Sequence, residues 1–165
     1  MSGIFLKELT PFDGYDIYHM LQTIGKEENE FHNDVNGMSY DDFKQWLIVQ
    51  YNWAQGIDLP KGYVKQWTFW LYVEGNPVGY GKLRERLTAS SRRIGGNIGY
   101  AISSYERGKG YGSILFQKLL DKARELKIET IISTVEKNNS SSKKIQEKCG
   151  GVLIEENDER WFYRF

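Results

Sequence analysis

The chain has 165 residues, 40% hydrophobic and 15% aromatic, and its 22 basic residues balance 22 acidic ones. This composition indicates a globular protein, and the zero net charge argues against a general nucleic-acid binder. The single cysteine, Cys149, excludes an intrachain disulfide, and no apolar run is long enough to span a membrane. The N-terminus lacks the basic and apolar parts of a signal peptide. The sequence therefore predicts a cytoplasmic protein that binds neither nucleic acid nor membrane.

The first third of the chain predicts one strand and two helices. Residues 4–9 are strand-like and are followed by Thr10-Pro11, and Asp13 is predicted to cap a first helix. Residues 26–37 are polar and are predicted to form a mobile connection. Ser39 then opens a second helix, because an acidic residue follows it at capping-box spacing.

The remainder predicts an antiparallel pair of strands and then alternating strands and helices. Gly75-Asn76 is the predicted two-residue turn of the first pair, and the last helix is predicted to end at Cys149 before two glycines. The predicted strands are 66–73, 78–87, 97–103, 129–135, 152–155 and 160–164, and the long helix is 113–126.

The predicted order of elements is β-α-α-β-β-β-α-β-α-β-β. Strands and helices do not alternate throughout, so the fold class is mixed α/β, with a mostly antiparallel central sheet and helices on both faces. Residues 97–135 alone form a strand, helix, strand unit, which is expected to be a right-handed parallel crossover.

A glycine-rich turn at 107–112 joins the predicted strand 97–103 to the long helix. Glycines at a helix N-terminus gather backbone N–H groups that bind a phosphate or pyrophosphate, and Arg107 and Lys109 add positive charge. A P-loop is excluded because no Ser or Thr follows Lys109. A dinucleotide-binding turn is disfavoured because three strands and two helices precede it.

The pattern Arg107-x-x-Gly110-x-Gly112 resembles the acetyl-CoA signature of the GCN5-related N-acetyltransferase (GNAT) superfamily. Asn139-x-x-Ser142 and the following Glu147-Lys148-x-Gly150 resemble a second segment of that family, beside the pantetheine arm. The resemblance covers nearly the whole chain. It implies a single N-acetyltransferase domain over 1–165, with an acceptor-side region at 1–64 and an acetyl-CoA-binding core at 95–151.

The resemblance implies acetyl-CoA as cosubstrate. The pyrophosphate would lie on the backbone of the turn, and the pantetheine would pair with the exposed edge of the strand that ends near Ile102. A backbone N–H near Ile102 would polarise the thioester carbonyl. The residues expected to bind the coenzyme are Ile102, Ser103, Arg107, Gly108, Lys109, Gly110, Tyr111, Gly112, Asn139 and Ser142.

The acid and base of the family are missing from their usual positions. The tyrosine that many members carry seven residues after the motif Asn is Gln146 here, and the Glu or His before the signature is Asn97. Glu85 and Tyr100 are the substitute catalytic candidates. Ser142 and Asn139 also fit a purely capping role. No metal site is expected, because His19 and His32 lack ligands at useful spacing.

The leading functional hypothesis is an N-acetyltransferase that moves an acetyl group to a primary amine by direct attack in a ternary complex. The acceptor is a small molecule or a peptide, and the acidic connection Glu27, Glu28, Glu30 and Asp34 is a candidate attractor for a cationic one. The alternatives are a catalytically degenerate acyl-CoA-binding regulator and a protein interaction module built on surface aromatics. The resemblance also makes a homodimer possible.

Overall fold

The computed structural model describes residues 3–93 and 96–165. Gly95, which the sequence places just before the predicted strand 97–103, lies outside the described residues. Within the described ranges, no helix is both long enough and apolar enough to cross a membrane.

The order of elements follows the prediction, with a short hairpin and a short helix added. The strands are β1 Ile4–Glu8, β2 Glu27–Glu28, β3 Phe31–His32, β4 Gln66–Val73, β5 Asn76–Arg84, β6 Ile98–Ile102, β7 Ile132–Glu136, β8 Val152–Glu156 and β9 Arg160–Arg164. The helices are α1 Tyr15–Gln22, α2 Tyr40–Ala54, α3 Ala89–Arg93, α4 Tyr111–Glu125 and α5 Ser140–Lys148.

The larger strands form two sheets that meet at one point. One sheet has the antiparallel order β1-β4-β5-β6, and the other has the order β7-β9-β8. At the meeting point the Asn97 backbone N–H donates to Ile132 O (2.8 Å), and the Ile132 N–H donates to the Asn97 side chain (2.9 Å). Both β6 and β7 begin at this junction. No ladder joins the two strands beyond it within the described chain, so they diverge and leave a cleft. The predicted mixed α/β class is confirmed.

Asn97 holds this junction together and is not available to orient a water molecule. Its side chain is 1% exposed, and its amide nitrogen also donates to Arg84 O at 3.2 Å. One side chain thus links β5, the start of β6 and the start of β7. The side-chain amide of Asn97 is engaged in these bonds, so in this structure it holds the strands together.

Hydrophobic cores cover both faces of the four-stranded sheet. Helices α1 and α2 pack on one face through residues such as Leu21, Phe43 and Leu47. Helix α4 packs on the other through Leu115 and Leu119. It lies close to β5 because Gly81 has no side chain: a Cβ there would be 2.8 Å from Leu119 Cδ atoms.

Two local predictions are wrong in detail. The turn between β4 and β5 consists of Glu74 and Gly75, both at positive φ (49° and 82°), because Val73 pairs directly with Asn76. Asp13 does not cap α1, which starts after Gly14 without a side-chain cap. The Asp13 carboxylate instead accepts the Trp70 indole N–H at 2.8 Å. The predicted cap Ser39 is confirmed.

The predicted mobile connection at 26–37 is a hairpin anchored to the core. Strands β2 and β3 pair there, and Asn29 and Glu30 form the turn with φ of 48° and 66°. Phe31 and Asn33 are buried, and Asn33 donates to the carbonyls at the end of α1. The polar composition misled the prediction because the few apolar residues are the ones that anchor the hairpin.

Candidate active site

The diverging strands β6 and β7 enclose a cleft of about 690 Å³. The glycine-rich turn and α4 close one side, the N-terminal part of α5 closes another, and the β2–β3 hairpin covers the face opposite α4. The cleft therefore has two halves. One half faces the helices α4 and α5, and we call the other, beneath the hairpin, the acceptor half.

The edge of β6 exposes backbone groups to this cleft. Asn97 O and Ser103 N–H bond to β5, and in an antiparallel ladder the bonded residues alternate with residues whose N–H points the other way. The N–H groups of Ile98, Tyr100 and Ile102 therefore face the cleft. An extended, amide-bearing ligand can pair with this edge as an additional strand does.

The glycine-rich turn forms an open cradle at the N-terminus of α4. Gly108 and Gly110 have φ of +78° and +83°, and no atom lies within 4 Å of a Cβ built at either position. The first N–H groups of a helix lack intrahelical partners, and because Gly110 is the N-cap, no side chain caps them here. Gly112 lets α4 pack closely against α5, because a Cβ at this position would lie 3.0 Å from Ile145 Cδ1. The cradle fits an anion on its open side.

Both cations of the turn bind side chains of the protein itself. Arg107 donates through Nε to Ile102 O (3.1 Å) and through Nη2 to Glu28 of the hairpin. Lys109 donates to Glu106 at 2.7 Å. The two ion pairs are partly exposed, and such pairs are weak enough for a phosphate to replace them.

Eight of the ten expected coenzyme residues line the cleft and two do not. The eight are Ile102, Arg107, Gly108, Gly110, Tyr111, Gly112, Asn139 and Ser142. Lys109 lies outside with its side chain on Glu106. Ser103 is buried and accepts the Thr23 hydroxyl at 2.7 Å, so its side chain fastens β6 to the end of α1. Asn139 caps α5 by accepting the Ser142 N–H at 3.2 Å.

Tyr100, Ser142 and Gln146 form a hydrogen-bonded chain in the cleft. Gln146 Nε2 donates to Ser142 Oγ (3.3 Å), and Ser142 Oγ lies 2.7 Å from the Tyr100 hydroxyl. Since Ser142 accepts from Gln146, its own proton can go to the Tyr100 oxygen, which leaves the phenol proton free for the cleft. Burial, the largest effect, raises the pKa of Tyr100 to about 12, so it stays protonated at neutral pH. Gln146 Oε1 is buried without a partner in the described chain, and a donor from a ligand would satisfy it.

The two sequence candidates for catalysis lie in different places. Tyr100 lines the cleft. Glu85 lies on a separate surface depression beside Arg86, where it also accepts the Lys65 N–H. The structure therefore does not bring Glu85 and Tyr100 together.

A carboxylate pair that sequence reasoning missed lies in the acceptor half. Glu136, the last residue of β7, lies near Glu30 of the hairpin. Burial and then the charge of Glu30 raise the pKa of Glu136, and Arg160 opposes this in part. Arg160 of β9 bonds Glu30 and, at 2.6 Å, Thr134. The predicted strand ended at 135, one residue before Glu136. No local pattern indicated that Glu30, 106 residues earlier in the chain, would reach it.

The acidic connection does not present free carboxylates. Glu27 and Asp34 both contact His32, Glu28 binds Arg107, and Glu30 binds Arg160. The last two pairs fasten the hairpin to both walls of the cleft. The acidic run thus covers the cleft, and its attraction for a cationic acceptor is reduced by these partners.

Comparisons with solved structures place this architecture among acetyltransferases. A ribosomal L7/L12 alpha-N-protein acetyltransferase in complex with coenzyme A is 12% identical, with a TM-score of 0.73 over 100% of this chain and 94% of that chain. The ribosomal-protein-S5-alanine acetyltransferase from Vibrio fischeri is 13% identical, with a TM-score of 0.74 over 100% and 93%. A dodecameric spermidine N-acetyltransferase from Vibrio cholerae is 16% identical, with a TM-score of 0.65 over 98% and 92%.

At these identities the likeness shows a shared fold. No protein of curated function matches the chain. The model of the Acetyltransferase (GNAT) family, by contrast, matches residues 26–150, which include the hairpin, the glycine-rich turn and α5. The resemblance read from Arg107–Gly112 and Asn139–Ser142 is therefore confirmed, and the chain belongs to the GNAT acetyltransferase family.

Proposed function

We propose that this protein is a cytoplasmic N-acetyltransferase that moves an acetyl group from acetyl-CoA to a primary amine by direct attack in a ternary complex. One observation carries the proposal: the free edge of β6 leads along the cleft to the open glycine cradle at the start of α4. Acetyl-CoA has the matching order of groups, a thioester, an amide-bearing arm and a pyrophosphate. Structures of similar fold contain coenzyme A or acetyl-CoA, which supports acetyl-CoA as the acetyl donor.

The coenzyme-binding residues follow from this arrangement. The N–H groups of residues 108–112 and the Arg107 guanidinium would hold the pyrophosphate. The N–H groups of Tyr100 and Ile102 would pair with the pantetheine amides, and one of them would polarise the thioester carbonyl. Gln146 Oε1 would accept a pantetheine N–H. Acetyl-CoA therefore fits three features of the cleft: the glycine cradle, the edge of β6 and the amide oxygen of Gln146 that has no partner in the described chain.

Two side chains of the cleft are placed to move protons. Glu136 is our candidate base for the amine, because its raised pKa lies nearer to neutrality than that of an ordinary glutamate. Tyr100 would donate a hydrogen bond to the leaving sulfur. With a pKa of about 12 against about 8.5 for a thiol, full proton transfer from the phenol is uphill, so this donor stabilises the thiolate while solvent supplies the proton.

Replacing Tyr100 with Phe should lower kcat by about 10- to 100-fold, the cost of one hydrogen bond to a charged group. The ring would keep its edge contact with Phe116, 5.2 Å between centroids, so the Kd of acetyl-CoA from calorimetry should change less than threefold. The assay is thiol release with a saturating amine. An unchanged kcat would remove Tyr100 from the mechanism.

Replacing Glu28 with Gln should tighten acetyl-CoA binding. Glu28 holds Arg107 through an ion pair, and partly exposed pairs contribute about 0.2–1 kcal/mol, so Kd should fall by about 1.5- to 5-fold at low salt. Glu27→Gln is the matched control, because it removes the same charge from a carboxylate that contacts His32. Equal Kd values for both variants and the unaltered chain would show that Arg107 does not reach the coenzyme.

The alternative function is an acyl-CoA-binding regulator without activity, and Gln146 in place of the family tyrosine motivates it. Calorimetry with acetyl-CoA tests what both functions share. Thiol release with a panel of amines separates them, since only the enzyme releases coenzyme A faster in the presence of an acceptor. Failure to bind acetyl-CoA at micromolar concentration would contradict both.

A further inference from the structure

Two basic side chains of β5 face the acceptor half of the cleft side by side. Lys82 and Arg84 lie on the same face of the strand, since they are two residues apart, and both line the cleft. The preceding residue on that face, Tyr80, supports Lys82: the ammonium lies 5.2 Å from its ring centroid and 4.6 Å from that of Phe31. Opposite Lys82 on β6 is Gly99, whose missing side chain leaves room for the Phe31 ring.

Neither cation forms a direct ion pair within the described residues. Lys82 donates to His32 O at 2.6 Å, and Arg84 Nη1 donates to Gly96 O at 3.0 Å. Both acceptors are neutral carbonyls, and no carboxylate in the described ranges forms an ion pair with either residue. Each side chain keeps N–H groups without a described acceptor. These N–H groups are therefore available to an anion that enters the cleft.

Burial in the cleft disfavours the charged forms of both side chains. Burial is the largest effect that lowers the pKa of Lys82, to about 8, with Arg84 next, and the charges of Asp34 and Glu27 oppose this shift in part. Burial also lowers the pKa of Arg84. An anion between them would stabilise both charged forms. The lining of the cleft also includes Glu136, and Glu30, which is paired with Arg160.

We infer that Lys82 and Arg84 form an oxyanion subsite for the acceptor, whose amine faces Glu136 while its carboxylate or phosphate binds the two cations. This inference rests on the proposed acetyl transfer and narrows it to amines that also carry an anionic group. It excludes polyamines as preferred acceptors, because a second ammonium would lie against Lys82 and Arg84.

The test compares acetylation rates for a series of acceptor amines in sets matched by chain length. Glycine, β-alanine, 4-aminobutyrate and 6-aminohexanoate are compared with alkylamines and diamines of equal length, and with aminoalkylphosphonates, which separate carboxylate from phosphate recognition. At one chain length or more, the anionic amine should have a kcat/KM at least about tenfold above that of the alkylamine of equal length. This is the effect expected of one or more charge-assisted hydrogen bonds. The diamine should be the poorest.

The variant Lys82→Met should remove this advantage, mainly through KM, so that the ratio of kcat/KM for an anionic amine to kcat/KM for its alkylamine falls toward one. Lys82→Arg should restore at least part of the advantage. Far-ultraviolet circular dichroism and thermal unfolding check that each variant is folded. If no amine of the series is acetylated, calorimetric titration of the coenzyme A complex with the same amines must show tighter binding of the anionic amines than of the alkylamines.

Three results would overturn the inference. One is an equal kcat/KM, or an equal Kd, for the anionic amine and the alkylamine at every chain length. Another is an anion preference that Lys82→Met leaves intact. The third is a loss of acetyl-CoA affinity in Lys82→Met, which would assign the cations to the coenzyme. Failure of the proposed function looks different, because the unaltered chain would then either not bind acetyl-CoA or bind it without releasing coenzyme A faster in the presence of any amine.

Discussion

Replacing Gly110 with Val should weaken acetyl-CoA binding by at least about 100-fold. Gly110 has φ of +83°, and the space around its Cβ position is open, so the new side chain would project into the cradle where the pyrophosphate is expected. Loss of two charge-assisted hydrogen bonds, at about 1.5–3 kcal/mol each, accounts for this size. Calorimetric titration with acetyl-CoA gives the Kd.

The chain offers a closely matched control in Gly62. This residue also has φ of +83° with nothing within 4 Å of a Cβ, but it lies in the loop between α2 and β4 and does not line the cleft. Gly62→Val therefore carries the same backbone strain, and the two variants should lose similar stability on thermal unfolding. Equal losses of acetyl-CoA affinity in the two variants would show that strain, and not the cradle, explains the effect.

Replacing Glu136 with Gln should lower kcat by about 100-fold or more, the usual contribution of a positioned base. Gln keeps the shape and can still hydrogen-bond Glu30, so the cleft should persist and acetyl-CoA should bind as before. Burial and Glu30 raise the pKa of Glu136. In the unaltered enzyme the rate should therefore fall as the pH drops through this raised pKa, and the variant should lose that dependence. The measurement is a pH profile of kcat.

The same substitution at Glu85 separates the two carboxylate candidates. Glu85 lies outside the cleft beside Arg86, so Glu85→Gln should keep the kcat and the pH profile of the unaltered chain. A loss of activity at Glu85 together with a fully active Glu136→Gln would contradict our assignment of the base.

The order of elements and the glycine-rich turn were predictable because their signals are local. Glycines at positions that need positive φ, such as Gly108 and Gly110, can be read directly, as can the apolar face of α4. The Asn139 cap is equally local, with its partner three residues away. These features depend on short stretches of chain, which explains why the family resemblance was visible.

The acceptor half was not predictable because its contacts join distant segments. Arg160 meets Glu30 across 130 residues and Arg107 meets Glu28 across 79. The hairpin that makes these contacts has strands of only two residues each, too short for a periodic pattern. A polar segment with buried Phe31 and Asn33 resembles a loop until the strands it covers are in place.

We propose that acetyl-CoA lies in the cleft between β6 and β7 with its pyrophosphate on the turn before α4. A crystal structure of the protein with coenzyme A tests this most directly. We predict phosphate oxygens within hydrogen-bonding distance of the N–H groups of residues 108–112, and pantetheine amides paired with the N–H groups of Tyr100 or Ile102. Coenzyme A bound elsewhere, or no binding at millimolar concentration, would contradict the account.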